Sequence, residues 1–435
     1  MKKPRFWIAL VVFGLTGQIA WVIENMYFNV FLYKLFNAGP TDISAMVSAS
    51  AVAATLTTLF MGALSDKVGK RKPFVCGGYI LWGLSILSFA FIRPDVIESL
   101  FPAATLSAAA IGITLTIVMD CVMTFFGSTA NDAAFNAWLT DSTDHTNRGT
   151  AEGLNAMMPL VAMLAVFGGF MAFNLDNPKS WTSIFLIIGI AVLVIGLLGL
   201  FLMDESATPA DENRRYFHNL SYSFRPSVMR HNPVLYLGLV AFAVFGIVIQ
   251  VFMPYLILYY TESLKMTNYV LVMAPAVILA SIFTALYGKR YDRVGFRKAV
   301  IPPLCLLVLG CATLLFVRHT ALVFIGSLLM MCGYLSGMAV FGALIREYTP
   351  DGKAGMFQGV RILGQVLIPG VIGPMIGSAV LQNAETVLNN DGTTSFIPNT
   401  NIFAAALAVS VLLIIALIPV FHILKKGGTP CEKNG

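Results

Sequence analysis

Three carboxylates stand inside apolar segments of this chain: Glu24 within GQIAWVIENMYFNVFLY, and Asp120 and Asp132 in the run that follows residue 113. A charged carboxylate facing lipid costs at least a few kcal/mol, so each must face protein or a water-filled cavity. A lone acid in such a place suits the binding and release of a proton, which removes its charge. Around Glu24 the pattern is helical. At about 100° per residue, Gln18, Trp21, Glu24, Asn25 and Asn29 fall on one face with Gly14, Gly17 and Phe28, opposite a face of Ile, Val and Leu. Trp and Asn on a cavity wall suit sugars, because an indole stacks on C–H faces and an amide reads hydroxyls. The competing reading is hydrogen bonding between helices. It has most force for Gln18 and Asn29 and least for Glu24.

Other polar residues in apolar surroundings extend the set. Asn131 and Asn136 flank Asp132, and Gln250, Pro254 and Tyr255 sit in a later apolar segment, where Pro254 should bend the helix. Tyr259 and Tyr260, just beyond, read as an interfacial aromatic belt. Arg361 wants a carboxylate or substrate oxygens, with Gln365 one turn further on. Between Ile43 and Leu64 there is no Asp or Glu, only Ser and Thr. That disfavours a hard-cation site made of several carboxylate oxygens. The expected coupling ion is therefore a proton carried by Glu24, Asp132 or Asp120, with sodium the lesser alternative. The six cysteines lack CxxC or CxxH spacing, so no metal site and no cofactor is expected.

The elements that hold these residues are set by composition. The chain has 435 residues, 57% hydrophobic and 11% charged, against about 25% charged in a soluble domain. It cannot cover a water-facing surface and reads as an all-α membrane protein. Spans are expected near 6–35, 43–64, 74–92, 114–139, 154–173, 183–203, 233–260, 269–287, 299–317, 321–345, 356–381 and 401–424. The stretch 93–113 is left open as a loop, an interfacial helix or an extension of a span. The first segment reads as a retained helix rather than a secretion signal, since its apolar pattern runs on without a small-residue cleavage site. With the N-terminus inside, most of the 28 Lys and Arg fall in inner loops, and only Lys34, Arg93, Lys179, Lys265 and Arg318 fall outside. The positive-inside rule thus places both termini in the cytoplasm. It also accounts for the net charge of +6, which is no sign of nucleic acid binding. The polar segment 204–232 reads as a cytoplasmic linker between residues 1–203 and 233–435.

The halves repeat. GALSDKVGKRK at 62–72 aligns with GKRYDRVGFRK at 288–298, matching Gly62 with Gly288, Asp66 with Asp292, Val68 with Val294, Gly69 with Gly295, Arg71 with Arg297 and Lys72 with Lys298. At the same offset Glu24 corresponds to Gln250, an acid facing its neutral isostere. GTAEG at 149–153 is echoed by GMFQG at 355–359, which pairs Asn155 with Arg361. Such repeats mark secondary transporters whose site lies between two halves. Physically, Gly62 and Gly69 permit close approach and a tight turn, Asp66 can face a helix N-terminus, and Arg71 can pair with an acid such as Asp141. Contacts of this kind would close the cytoplasmic side in one state and break in the other.

The duplicated loop resembles the signature loop of the major facilitator superfamily. With DAAFNAWLTDSTDHTNRG at 132–149 it is most similar to the glycoside–pentoside–hexuronide cation symporters and the related sucrose transporters. The resemblance implies twelve transmembrane helices in two pseudo-symmetric six-helix bundles. It also implies a gate at Gly62, Asp66, Gly69, Arg71, Asp141, Asp292, Gly295 and Arg297, and a sugar- or cation-binding role for Asp132. The expected function is proton-coupled symport of a sugar or glycoside by alternating access, carried out by a monomer in the cell membrane. A facilitator or exporter of a drug, nucleoside or lipid is the alternative within transport. A non-transporting sensor is the alternative outside it. No enzyme chemistry is suggested: there is no paired His, nucleophile elbow or metal spacing.

Overall fold

The structure, a computed structural model, describes residues 4–102, 105–143, 147–205, 222–350, 354–389 and 392–425. Among the described residues, twelve helices are long and apolar enough to cross a membrane: α1 Pro4–Phe36, α2 Pro40–Val68, α3 Lys72–Phe91, α4 Ala108–Asp141, α5 Gly153–Phe170, α6 Pro178–Leu202, α7 Pro233–Ser263, α8 Val270–Gly288, α9 Arg293–Phe316, α10 Thr320–Tyr348, α11 Gly359–Leu381 and α12 Asn401–Lys425. The stretch after α3 is a separate short helix, Pro94–Leu100. α4 starts where the Ser107 hydroxyl accepts the Ala110 N–H at 3.2 Å. A short helix, Pro226–His231, precedes α7, while residues 206–221 of the linker lie outside the described residues.

The chain divides into two compact units, Met1–Arg214 with Thr386–Ser395, and Arg215–Glu385 with Phe396–Gly435. Within the first, α1 packs on α5, α2 on α4 and α3 on α6. Within the second, α7 packs on α11, α8 on α10 and α9 on α10. The pairings α1–α5 and α7–α11, and α2–α4 and α8–α10, are the structural form of the repeat. One segment departs from chain order. Thr386–Ser395, in the loop after α11, groups with the first unit, where Asn37 donates to Thr393 and accepts from Ser395 and Asn389 at 2.9–3.0 Å.

Several local irregularities decide where side chains point. α4 widens into a π-helix over Ser128–Phe135, as α11 does over Leu363–Leu367. Such bulges shift the register of everything beyond them and recur at functional sites. α7 breaks into a 3₁₀ turn at Met253–Tyr255, the bend expected of Pro254. Tyr259 and Tyr260 do not form a belt: both are buried, with Tyr260 bonded to Ser327 at 2.6 Å and Tyr259 donating to the Leu314 carbonyl at 3.4 Å. The sequence expectation failed because the turn beyond Pro254 swings these rings into the unit.

α3 and α6 approach closely through small residues. A Cβ at Gly83 would stand 2.5 Å from the Leu193 nitrogen and one at Gly196 would stand 2.7 Å from that of Ile80, as expected where lipid supplies no hydrophobic drive between helices. Gly83→Val should therefore lower stability by about 1–3 kcal/mol through overpacking, read as a fall in the detergent melting temperature. An unchanged melt would show that α3 and α6 can separate freely.

Candidate functional site

The first unit gathers the buried acids. Glu24 is 7% exposed and Asp120 1%. Glu24 Oε1 accepts from the Ser50 hydroxyl of α2 at 2.7 Å and from the Thr124 hydroxyl of α4 at 2.9 Å. Ser50 and Thr124 are themselves 2.8 Å apart. Asp120 lies one turn before Thr124 on α4 and is buried. Glu24 Oε2 and Asp120 Oδ1 have no partner among the described residues. Asp132 sits on the π segment, its Oδ2 accepting from Ser128 at 3.0 Å. The three acids of the sequence reading thus belong to one unit, Glu24 on α1 and Asp120 and Asp132 on α4. Ser50 and Thr124 were not singled out from sequence. The run of hydroxyl residues in α2 was the available signal, but which of them meets Glu24 depends on how α1, α2 and α4 cross.

The polar face of α1 divides in two. Gln18 and Trp21 are partly accessible and Asn25 is exposed, whereas Glu24 and Asn29 turn inward. Asn25 donates to the Trp21 carbonyl at 2.7 Å and Asn29 to that of Asn25 at 3.3 Å. Trp21 lies against Trp82 of α3, ring centroids 5.0 Å apart, and neither indole N–H has a partner among the described residues. Beneath them Asn131 donates to Tyr79 at 2.8 Å, and Tyr79 donates to the Phe13 carbonyl at 2.7 Å. This packed chain lies behind Gly17, where a Cβ would meet the Asn131 amide at 2.2 Å. Asn131 is thus a structural tie, and Asn136 donates to the Asp132 carbonyl at 3.1 Å.

At the other end of the unit, Arg71 holds the signature loop together. Its guanidinium meets Asp66 at 2.5 Å and Asp141 at 2.9 Å and donates to Ser65 at 2.6 Å. Burial opposes the Arg71 charge, but its bonds to Asp141 and Asp66 outweigh that and hold the guanidinium above its ordinary value. Gly69 caps α2 at φ 68°, a backbone only glycine adopts without strain. Gly62 has ordinary space, with Ala133 at 3.9 Å from a built Cβ. Sequence reasoning missed Glu205, whose Oε1 accepts the Arg71 N–H at 2.6 Å and the Lys72 N–H at 3.1 Å. An anion there satisfies the orphan donors that begin α3. In the second unit Gly295 has φ 71° and Arg297 is exposed, while the side chain of Asp292 lies outside the described residues, as does that of Arg148.

The second unit's candidates are less concentrated. Gln250 is packed under α11, with its Cβ 2.4 Å from a Cβ built at Gly373. Tyr255 is fully buried and donates to the Pro374 carbonyl at 3.4 Å. Arg361 donates to Gln365 at 3.2 Å and has no carboxylate partner among the described residues, with Arg346 near enough to repel it.

The family profile of the Major Facilitator Superfamily matches residues 6–374. The chain belongs to that superfamily. It is accordingly a multi-pass membrane transporter of small molecules, not an enzyme. Sugar efflux transporter B of Salmonella typhimurium is 28% identical over 196 residues, 45% of each chain. Sugar efflux transporter A of Dickeya chrysanthemi is 26% identical over 189 residues, 43% of each. The chain thus spans under half the length of these relatives. Among solved structures, the inward-open xylose transporter XylE from E. coli has a TM-score of 0.68 at 16% identity over 98% of both chains. A bacterial homologue of the lysosomal transporter Spinster has 0.71 at 14% over 99% of this chain and 100% of that one. At these identities the likeness concerns the fold alone.

Charge-assisted bonds such as those of Arg71 are worth about 1.5–3 kcal/mol each, enough to shift a gate equilibrium roughly ten- to a hundredfold. Arg71→Ala, Asp66→Asn and Gly69→Leu should slow flux in vesicles by about tenfold or more on that scale while substrate binding in detergent stays near wild type. Lost binding with normal cycling would contradict the gate assignment.

Proposed function

We propose that this protein is a proton-coupled sugar or glycoside symporter working by alternating access, with Glu24 as the coupling acid. The observation that carries the reading is the Glu24 carboxyl itself. It is buried beside the accessible polar face of α1, bonded only to hydroxyls and paired with no cation among the described residues. A charge held this way in a membrane is costly and a neutral carboxyl is not. Protonation therefore removes the charge that opposes moving the loaded site past its gates. Trp21 and Asn25, with Gln18, offer stacking and amide contacts to a sugar. In the second unit Arg361 and Gln365 offer donors for hydroxyls, and Gln250 and Tyr255 pack against α11 at Gly373 and Gly377. Both termini would lie in the cytoplasm of a cell membrane, and the monomer would be the working unit.

A second reading, export in exchange for protons, has one observation in its favour: the names of the two curated relatives, both sugar efflux transporters. It uses the same acid and differs in the direction of driven flux. Sugar movement under imposed pH gradients of either sign separates the two.

Glu24→Gln mimics the protonated state and recreates the Gln250 of the other half. It should keep counterflow exchange within a few-fold of wild type and lose accumulation driven by a proton gradient. Asp132→Asn, measured beside it, should retain gradient-driven accumulation. If Glu24→Gln still concentrates sugar under a proton gradient and Asp132→Asn does not, the coupling role belongs to Asp132.

A further inference from the structure

The second unit carries a cavity that transport does not use. It has a volume of about 1010 Å³ and lies between α8 and α9, at the end where the 288–298 loop joins them. Phe283, Leu286, Pro302 and Leu306 make its apolar wall, and Arg290 and Arg293 make its polar end. No Asp or Glu among the described residues lines it. The space exists because α8 and α9 each pack along α10 and scarcely on each other. Its wall is built in advance. The rings of Phe283 and Tyr287 stack with centroids 5.3 Å apart, and the Tyr287 hydroxyl donates to the Ala299 carbonyl at 2.9 Å. Ile282 and Leu286 stand exposed beside it, as the side chains of a span do where they meet lipid.

The internal repeat shows that the cavity is particular to this half. At the offset of 226, Arg290 stands where the first half has Leu64, and Cys305 where it has Tyr79. Tyr79 is fully buried and bonded to Phe13 and Asn131, whereas Cys305 is exposed and lines the cavity. Arg71 of the first loop is matched by two carboxylates, while Arg290 and Arg293 border an apolar slot instead. Two positive charges at one end of such a slot complement an occupant that is anionic at one end and hydrocarbon at the other. A soluble anion would leave the apolar wall to water, and a zwitterionic lipid would bring its own cation to the arginines.

We propose that the cleft between α8 and α9 binds an anionic glycerophospholipid, with its phosphodiester on Arg290 and Arg293 and an acyl chain along Phe283, Leu286 and Leu306. Guanidinium forks match phosphate oxygens, and basic pockets between transmembrane helices suit anionic headgroups. The lipid would fill the gap between two helices that otherwise meet mainly through α10, so its binding stabilises the second unit by mass action. Glu24 and the candidate sugar contacts take no part in it.

Native mass spectrometry tests this on the full chain, stripped of lipid in detergent and given equal amounts of phosphatidylglycerol and phosphatidylcholine. The wild type should retain phosphatidylglycerol in preference, and its melting temperature should rise with that lipid. Arg290→Leu combined with Arg293→Gln should lower retention about tenfold or more and abolish the rise. Cys305→Trp fills the slot and removes no charge; it should also lower retention, while Cys305→Ser should keep it. Lys298→Gln combined with Lys425→Gln removes two exposed charges of the same unit from outside the cavity and should leave retention intact. Equal retention of the two lipids, or full retention in the arginine variant, would overturn the site. Equal loss in the lysine variant would reduce the effect to diffuse surface charge and overturn it too. Undiminished retention in Cys305→Trp, or displacement of the lipid by inorganic phosphate, would make this an anion site without a place for hydrocarbon, and the lipid assignment would fall.

Discussion

The constraint on which the rest depends is that a carboxyl taken out of water must either be neutral or be matched by a positive charge. In this chain the two solutions are used at different depths. In the signature loop, Arg71, itself buried, is surrounded by Asp66, Asp141 and Ser65, and both acids keep partial exposure. In the span, Glu24 meets two hydroxyls and no cation among the described residues. The first arrangement suits a gate that opens and closes. The second suits a group whose charge comes and goes with a proton.

Packing serves this division. Close passage of α3 and α6 at Gly83 and Gly196 leaves the large rings Tyr79 and Trp82 turned toward α1 and α4, where they buttress Gly17 and Gly127. The α1 helix is thereby held with Glu24 against α2 and α4 and with Gln18, Trp21 and Asn25 on its accessible side. One helix so carries both the proposed proton acceptor, Glu24, and the candidate sugar contacts about a turn apart.

Much of this was legible in the sequence because lipid imposes simple rules. Twenty apolar residues make a span, and the loops at 62–72 and 288–298 expose the repeat. The polar face of α1 followed from helical periodicity alone. Pairing across helices was harder. Asp141 was legible as the partner of Arg71, because the duplicated loop limits what it can reach. Ser50 was not, since α2 carries Ser and Thr on several faces and periodicity ranks none above the others. The π segment of α4, which carries Asp132, could not be read either. Glu205 was hidden for another reason: an acid at the end of α6 that caps α3 becomes visible only when the two helices lie together. Tyr259 and Tyr260 were misplaced because a proline turn redirects a helix by an amount that composition does not reveal.

The central claim is that sugar and proton bind to one linked system through Glu24. Linkage makes this measurable without transport: if a ligand favours the protonated site, its binding must draw protons from solution, and protons must strengthen its binding to the same extent. The decisive measurement is proton uptake by the purified protein in weakly buffered detergent on addition of a transported sugar, followed with a pH indicator at a pH where the empty site is partly ionised. The account expects uptake in the wild type, sugar affinity that falls as pH rises, and neither effect in Glu24→Gln, which should bind with pH-independent affinity. Equal proton uptake in the wild type and in Glu24→Gln would contradict it.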